Sequence, residues 1–293
     1  MATVLITGCN SGFGMAGALA FARRGDTVYG TVRALERAAD LRRQATEEGL
    51  DLHIRALDVT RPDTFSELVA DILAQAGSID VLVNNAGILH PGALEDLPAS
   101  SLREVMETNF FGPVLLARAV LPQMRSQGSG CIIMISSLSG LAGLAGDVSY
   151  SASKFALEGA TEALRHEVDR WDIRVALVEA GQYATGLFRD GGELPPGYPA
   201  DSPYRALVQS KLHEIQAGQA GAMAPEIVGQ LLPRIADSDG SQLRWPADDV
   251  ARHVLGCVHG QDDRERDAFL RGAGGSDWWS QGLTQPDQTD EEL

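Results

Sequence analysis

The first fourteen residues constrain the fold most. Thr3-Val4-Leu5-Ile6-Thr7 runs without a spacer into Gly8-Cys9-Asn10-Ser11-Gly12-Phe13-Gly14. The apolar, β-forming run has the length of one buried strand. Ala16, Leu19, Ala20 and Ala22 then mark the inward face of a helix over 13–24. Strand, glycine turn and helix in that order make an anion site, because glycine lets the backbone come close and the first helical N–H groups lack partners within the helix. The spacing is Gly-x-x-x-Gly-x-Gly, and glycines also serve turns that bind nothing. Their place at the first strand–helix junction makes Gly8, Asn10, Ser11, Gly12, Phe13 and Gly14 candidates for holding a pyrophosphate.

The same alternation continues. Apolar runs at 27–32, 52–57, 80–83, 131–135 and 173–178 read as strands, separated by helical patterns over 34–48, 65–76, 100–123 and 150–170. Strands alternating with helices imply an α/β fold: a single Rossmann-type, doubly wound parallel sheet with helices on both faces. We expect about seven strands in the order 3-2-1-4-5-6-7, with Ala268-Phe269-Leu270 as the last strand. Residues 190–203 are rich in glycine and proline, 204–217 reads as an amphipathic helix, and another helix runs from Pro246 to Val258. The expected organisation is one catalytic domain over 1–280, with a lid over the substrate at about 186–240. Residues 281–293 are polar and acidic and read as a disordered tail.

Formal net charge is −16, which argues against nucleic acid and anionic membranes as partners. No window approaches the ~18 apolar residues of a membrane span. A strand begins at Thr3, so no signal peptide is expected ahead of it. Cys9, Cys131 and Cys257 are odd in number and lack metal-ligand spacing. That suits a reduced, cytoplasmic protein with no metal.

The strand at 131–135 leads into Ser136-Ser137-Leu138-Ser139-Gly140, followed by Tyr150-Ser151-Ala152-Ser153-Lys154. Tyr150 and Lys154 are four apart in a helical stretch and leave the same face. On its own this is a common surface pair. After a buried strand ending in serines it becomes a candidate acid–base pair. An ammonium near a phenol favours the phenolate, and a shift of ~3 units from the usual ~10 needs roughly 4 kcal/mol. Ser137 could then hydrogen-bond a substrate oxygen while Tyr150 gives or takes the proton.

Other positions carry paired readings. The second strand ends in Val32, with Arg33 and Arg37 following and no carboxylate to bind a ribose 2′-hydroxyl. This favours NADP(H), with NAD(H) possible; the plain alternative is two arginines solvating a helix start. Asp58, with Val59, could reach an adenine or could cap the next helix ahead of Pro62. Asn84-Asn85-Ala86-Gly87 could pin the backbone beside a cofactor or be an ordinary turn. Asn109 sits in the middle of a helix, where asparagine is a poor choice. It marks either a kink or bound water on the site side, or a tolerated surface residue.

Together these residues resemble the short-chain dehydrogenase/reductase family: Thr7-Gly8-x-x-x-Gly12-x-Gly14, Asp58-Val59, Asn84-Asn85-Ala86-Gly87, Asn109, Ser137, Tyr150-x-x-x-Lys154 and Thr185. The resemblance implies Tyr150 as general acid/base and Lys154 as the group that lowers its pKa and holds the nicotinamide ribose. It also implies Ser137 as the residue that polarises the carbonyl and Asn109 as the holder of a water in a proton relay. Gly8, Gly12 and Gly14 would face the pyrophosphate, Asp58 and Val59 the adenine, and Asn85, Ala86 and Gly87 the ribose side. Thr185, with Gly181 and Tyr183, would meet the nicotinamide end. One departure is Ala180-Gly181 where the family usually has Pro-Gly, which removes a fixed φ from that loop.

The stretch 27–33 is similar to the 17β-hydroxysteroid and retinol dehydrogenase branch, which implies secondary alcohols and ketones of steroid, retinoid or aryl-ketone type. Candidate pocket residues are Leu89, His90, Leu138, Leu141, Leu144, Val148, Tyr183 and Phe188, with Ser137 and Tyr150 at the reacting end. An apolar set like this is also ordinary core. The resemblance further implies a homodimer or homotetramer through the helices over 100–123 and 150–170. Alternatives are an NAD-dependent dehydrogenase of another small alcohol, a non-catalytic nucleotide sensor, and a Rossmann-like methyltransferase.

Overall fold

The structure is a computed structural model that describes residues 1–188, 194–195 and 197–283. Parts of the glycine- and proline-rich loop (189–193 and 196) and the tail over 284–293 lie outside the described residues. β1 (Thr3–Ile6), α1 (Gly12–Arg23), β2 (Thr27–Val32), α2 (Ala39–Glu48), β3 (Leu52–Ala56), α3 (Phe65–Ala76) and β4 (Val81–Asn84) form the first half. Then come α4 (Ala99–Met106), α5 (Gly112–Gln127), β5 (Gly130–Ile135), α6 (Val148–Val168) and β6 (Ile173–Glu179). The chain continues through α7 (Arg205–Ala220), α8 (Glu226–Ala236), β7 (Arg244–Pro246), α9 (Asp249–Gly260), α10 (Asp263–Ala273) and α11 (Asp277–Ser280).

The seven strands make one sheet in the order β3-β2-β1-β4-β5-β6-β7, and every pairing is parallel. Val4 lies opposite Val28 on one side and Val81 on the other. Successive side chains leave opposite faces of a strand. Val4, Ile6, Val83, Ile133 and Val178 therefore pack on one face against α1 and α8, through Phe21 and Leu232. Leu5, Leu82, Ile132, Met134 and Leu177 pack on the other against α3, α5 and α6, through Ile72, Leu116 and Leu157. With both faces covered, the central strands read as unbroken apolar runs. Each fully buried aliphatic side chain contributes about 1.5–3 kcal/mol relative to exposure.

One sequence expectation changes. Ala268-Phe269-Leu270 is not the last strand; it lies within α10, and the seventh strand is Arg244–Pro246. The reason is local: Asp262 and Glu265 form a reciprocal capping box that starts a helix there, and such a box fixes helix register. The segment expected as a lid holds α7 and α8. α8 packs on α1, where Gly17 and Gly229 leave room for Leu232 and Ala16 respectively. α7 lines the cavity at the sheet's carboxyl edge, as α9 and α10 do from outside that segment. Among the described residues, no helix is long and apolar enough to cross a membrane, and no group of His, Cys, Asp and Glu could hold a metal.

One carboxyl is buried near the sheet's edge. Glu179, at the end of β6, is 0% exposed. Arg244 on β7 is 3.5 Å from Glu179, and it also contacts Glu158 at 3.0 Å and Glu162 at 2.6 Å. Burial first, and then the Glu158 charge, push the Glu179 carboxyl up to about 8. The native state therefore keeps a proton that the unfolded chain releases near 4.5, and stability falls as pH rises between those values. Glu179→Gln is expected to flatten that fall and raise Tm most near pH 8. Thermal denaturation of both proteins across the interval checks this, and an unchanged slope would contradict it.

Candidate active site

The site lies along the carboxyl ends of β1, β4, β5 and β6, where parallel sheets of this kind open. The β1–α1 turn is shaped by Gly8 at φ +72° and Gly12 at φ +56°. These are left-handed conformations that disfavour residues with a Cβ. A Cβ at Gly14 would overlap the Gly8 carbonyl oxygen and the Asn85 amide nitrogen. The loop is tied to the end of β4. Thr7 Oγ1 accepts from the Asn85 and Ala86 backbone N–H groups at 2.9 and 3.0 Å, and Asn85 Nδ2 donates to the Thr7 carbonyl at 2.8 Å. Asn85 thus works as a backbone pin, with Ala86 beside Gly8. Thr185 closes on Gly12 from the β6 side; a Cβ on that glycine would meet it at 3.1 Å. Asn10 and Ser11 lie on the exposed side of the same turn, 3.4 Å apart.

At the end of β2, Val32 is buried and Arg33 exposed. The Arg33 guanidinium stands 3.8 Å from Asp58. Asp58 Oδ1 accepts from Thr60 N and Oγ1 at 3.0 and 2.7 Å. Burial opposes ionisation of Asp58, but those two bonds and the Arg33 and Arg61 charges hold its carboxyl below its usual value. Val59 is buried, and its carbonyl abuts Gly112.

The helical stretch around Asn109 contains the irregularity its composition suggested. Between α4 and α5, Glu107–Phe111 forms a π-turn, a device frequent at functional sites. Asn109 is buried, accepts from Ile88 N at 2.9 Å, and donates to Ile88 O at 2.9 Å and to Ser153 Oγ at 3.1 Å. Ser153 donates in turn to the Tyr150 carbonyl at 2.7 Å. Gly87 sits beside the Asn109 amide oxygen. Asn109 is therefore a tie between the β4 loop and α6, not a surface residue.

Tyr150 and Lys154 share one face of α6, and both are buried. Lys154 Nζ donates to the Ile135 carbonyl at 2.7 Å and lies 5.6 Å from the centroid of the Tyr150 ring. Burial lowers the Lys154 ammonium to about 8, while Glu158 one turn on acts in the opposite direction. Burial raises the Tyr150 phenol above its ordinary value, partly offset by a hydrogen bond from Ser137. The lowered phenol expected from the Tyr-x-x-x-Lys spacing is absent here, because the spacing reveals the cation but not the desolvation. Ser137 has extended backbone at the head of a short turn (Leu138–Gly140), and its Oγ accepts from Ser139 N at 3.2 Å.

Ser137 and Tyr150 open onto a cavity of about 330 Å³. Leu89, Leu138 and Leu144 of the candidate pocket residues line it, together with Gly181, Phe269, Leu270 and Val254. Leu141 is buried beneath it, against Ala142 and Val258. Val148 is half-buried outside it, and His90 faces Glu104 at 3.3 Å. Tyr183 turns inward: it is fully buried, donates to Asp248 Oδ2 at 2.8 Å, and meets the Phe13 ring edge-on at 5.0 Å. The Phe188 side chain lies outside the described residues. Three charged residues in the wall went unmarked in the sequence: Asp147, Lys211 and Glu214. One signal was available. The whole chain has two lysines, Lys154 and Lys211, and both stand at this site.

The profile of the short chain dehydrogenase family matches residues 2–193. A 3-ketodihydrosphingosine reductase of Bacteroides thetaiotaomicron is 36% identical over 79% of the chain and 82% of that protein. Bovine retinol dehydrogenase 8 is 40% identical over 62% of the chain and 59% of that protein. Among solved structures, a short-chain dehydrogenase from Streptomyces avermitilis matches with TM-score 0.76 and 34% identity, covering 96% of this chain and 97% of that one. A metagenomic short-chain oxidoreductase in complex with NADP matches with TM-score 0.67 and 25% identity, covering 84% and 96%. The chain belongs to the short-chain dehydrogenase/reductase family and is an oxidoreductase of that family. Overpacking at the tightest point of the glycine turn costs about 1–3 kcal/mol. Gly14→Ala should therefore lower the denaturant midpoint without changing m; an unmoved midpoint would contradict the packing described.

Proposed function

We propose that the protein is an NADP(H)-dependent oxidoreductase of a secondary alcohol or ketone on a lipophilic substrate. The observation that carries this is Ser137 and Tyr150 at one end of a largely apolar cavity, with a buried cation behind the tyrosine. The turn over 8–14 fits a dinucleotide: Gly8 and Gly12 adopt conformations a side chain would spoil, and Gly14 has no room for a Cβ against Gly8 and Asn85. Gly8, Asn10, Ser11, Gly12, Phe13 and Gly14 would hold the pyrophosphate. Asp58 and Val59 would face the adenine, Asn85, Ala86, Gly87 and Lys154 the ribose, and Gly181 and Thr185 the nicotinamide end. When bound, the nicotinamide supplies or accepts the hydride.

The chain's own residues do the rest. Ser137 orients the reacting oxygen, and Tyr150 transfers the proton. Burial keeps the Tyr150 phenol protonated at neutral pH, the form that donates to a carbonyl oxygen. Lys154 carries charge beneath it below about pH 8. The apolar walls from Leu138, Leu144, Phe269 and Leu270 exclude water and take up the substrate's hydrocarbon. The relatives named for retinol and 3-ketodihydrosphingosine support a lipophilic substrate, and the NADP-bound neighbour supports the cofactor. Arg33, exposed beside Asp58, is the cation for a 2′-phosphate. Three free cysteines support a cytoplasmic setting. Phe111 and Phe155, exposed on the π-turn and on α6, support pairing of copies through those helices as a homodimer or homotetramer.

Loss of a positioned proton donor typically lowers turnover by ~10²–10⁴-fold. Tyr150→Phe is expected to lose that much kcat with a ketone panel while its NADPH Kd, read by fluorescence, stays near wild type. Full turnover in this variant would falsify the role. Arg33→Ala removes a charged contact worth ~1.5–3 kcal/mol. It should raise KM for NADPH at least tenfold and leave KM for NADH unchanged; equal effects on both would point to NAD(H).

A further inference from the structure

α7 meets the cavity with one face: Lys211, Glu214 and Ile215 line it, three and four residues apart. Its two halves are held by different parts of the fold. In the first, Val208 and Leu212 pack on Ala93 of the β4–α4 loop. In the second, the contacts come from the loop after β6. Gln182 Nε2 donates to the Ile215 carbonyl at 2.8 Å, and Ala184 N donates to the Met223 carbonyl, just past the helix, at 3.0 Å. A carbonyl oxygen has two lone pairs, so Ile215 serves Gln182 without leaving its helix. Gln182 also lines the cavity.

The fit of Gln182 depends on a glycine. Gly218 stands in the last turn of α7, and a Cβ there would overlap the Gln182 amide. Glycine within a helix is less favourable than alanine, so the helix is weakened at this position. In return the Gln182 amide lies against the helix backbone and reaches Ile215. The loop is the stiffer of the two partners. Leu138 N donates to the Ala180 carbonyl at 3.2 Å, Tyr183 donates to Asp248 at 2.8 Å, and Thr185 abuts Gly12. A side chain at position 218 would therefore displace α7 and leave the loop in place.

We propose that Gln182 is a positioning residue that couples the nicotinamide end of the site to the substrate wall: its bond to Ile215 sets where α7 stands at the cavity, and Gly218 is the small residue that admits it. This rests on the reductase reading above. The coupling acts on one ligand more than the other. Lys211, Glu214 and Ile215 move with α7, so a displaced helix alters the wall that a ketone meets. The adenine end would lie at the ends of β2 and β3, four and five strands away from β6. Most of the dinucleotide's contacts are therefore out of reach of the displacement. Tyr150 and Ser137 stand on other elements, so a ketone that does bind still meets an intact proton donor.

The test is a double-mutant cycle on the full-length enzyme with NADPH, using decan-3-one and acetophenone as ketones. Gly218→Ala is expected to raise the ketone KM roughly tenfold, and Gln182→Ala roughly fivefold. In both, kcat and the NADPH Kd should stay within about twofold of wild type. Truncating Gln182 removes the obstruction, so adding Gly218→Ala to Gln182→Ala should change KM by less than about twofold. Thermal denaturation gives a readout without substrate. Gly218→Ala should raise Tm in the Gln182→Ala background, where helix propensity acts alone, and not in wild type. Additive effects on KM and Tm would overturn the contact between Gln182 and position 218. A loss of kcat with KM unchanged, or a weakened NADPH Kd, would overturn the role of Gln182 in placing the substrate wall. Should Gly218→Ala fail to fold, a folded double variant supports the collision, and a double variant that also fails overturns it. Reduction of neither ketone by wild type, with NADPH or NADH, would overturn the reductase reading and the coupling with it, leaving the Tm comparison to decide the packing.

Discussion

A single hydrogen bond holds the chemistry together: Lys154 Nζ to the Ile135 carbonyl at 2.7 Å. It joins the middle of α6 to the last residue of β5, where the sheet hands the chain over to Ser136 and Ser137. An ammonium 4% exposed has lost nearly all its water, so its remaining partners decide whether it stays charged. The Ile135 carbonyl, the face of the Tyr150 ring and the Glu158 carboxylate one turn on are those partners. If the contact were lost, α6 could turn about its axis, and the phenol would leave the serine it faces.

Around that contact the backbone is fastened from several strands at once. Asn85 and Thr7 lock the glycine turn of β1 to the end of β4. Asn109, on its π-turn, bridges the loop after β4 to Ser153 on α6. Tyr183 anchors the loop after β6 to Asp248 at the head of α9. That last anchor bears on Ala180, which stands where the family usually has proline. The stiffness a fixed φ would give is supplied instead by a buried phenol–carboxylate bond and by Phe13 packed edge-on against the same ring.

Much of this was legible in the residues. The strand–helix alternation, the glycine turn and the shared face of Tyr150 and Lys154 follow from periodicity and spacing, because those encode which side chains share a face; the strand order and the place of Ser137 beside them come from the family resemblance. Asn109 stood out as a poor helix former, and the π-turn explains it. What spacing does not encode is desolvation and long-range packing. The direction of the Tyr150 shift depends on burial contributed by elements more than a hundred residues apart. β7 is three residues long and carries no periodic signal, while Ala268-Phe269-Leu270 looked like a strand until the capping box at Asp262 is weighed. Tyr183 follows a strand end and could have faced either way; only the position of Asp248 settles it.

Lys154 is buried and weakly basic before any ligand arrives. Because the chain has only two lysines, an NMR titration of ¹³Cε-lysine-labelled protein without cofactor gives two signals, and Lys211→Arg assigns them. The Lys154 midpoint is expected near the value set by its burial, about 8. A Lys154 signal that stays charged up to the free-lysine range, ~10.4, would contradict it.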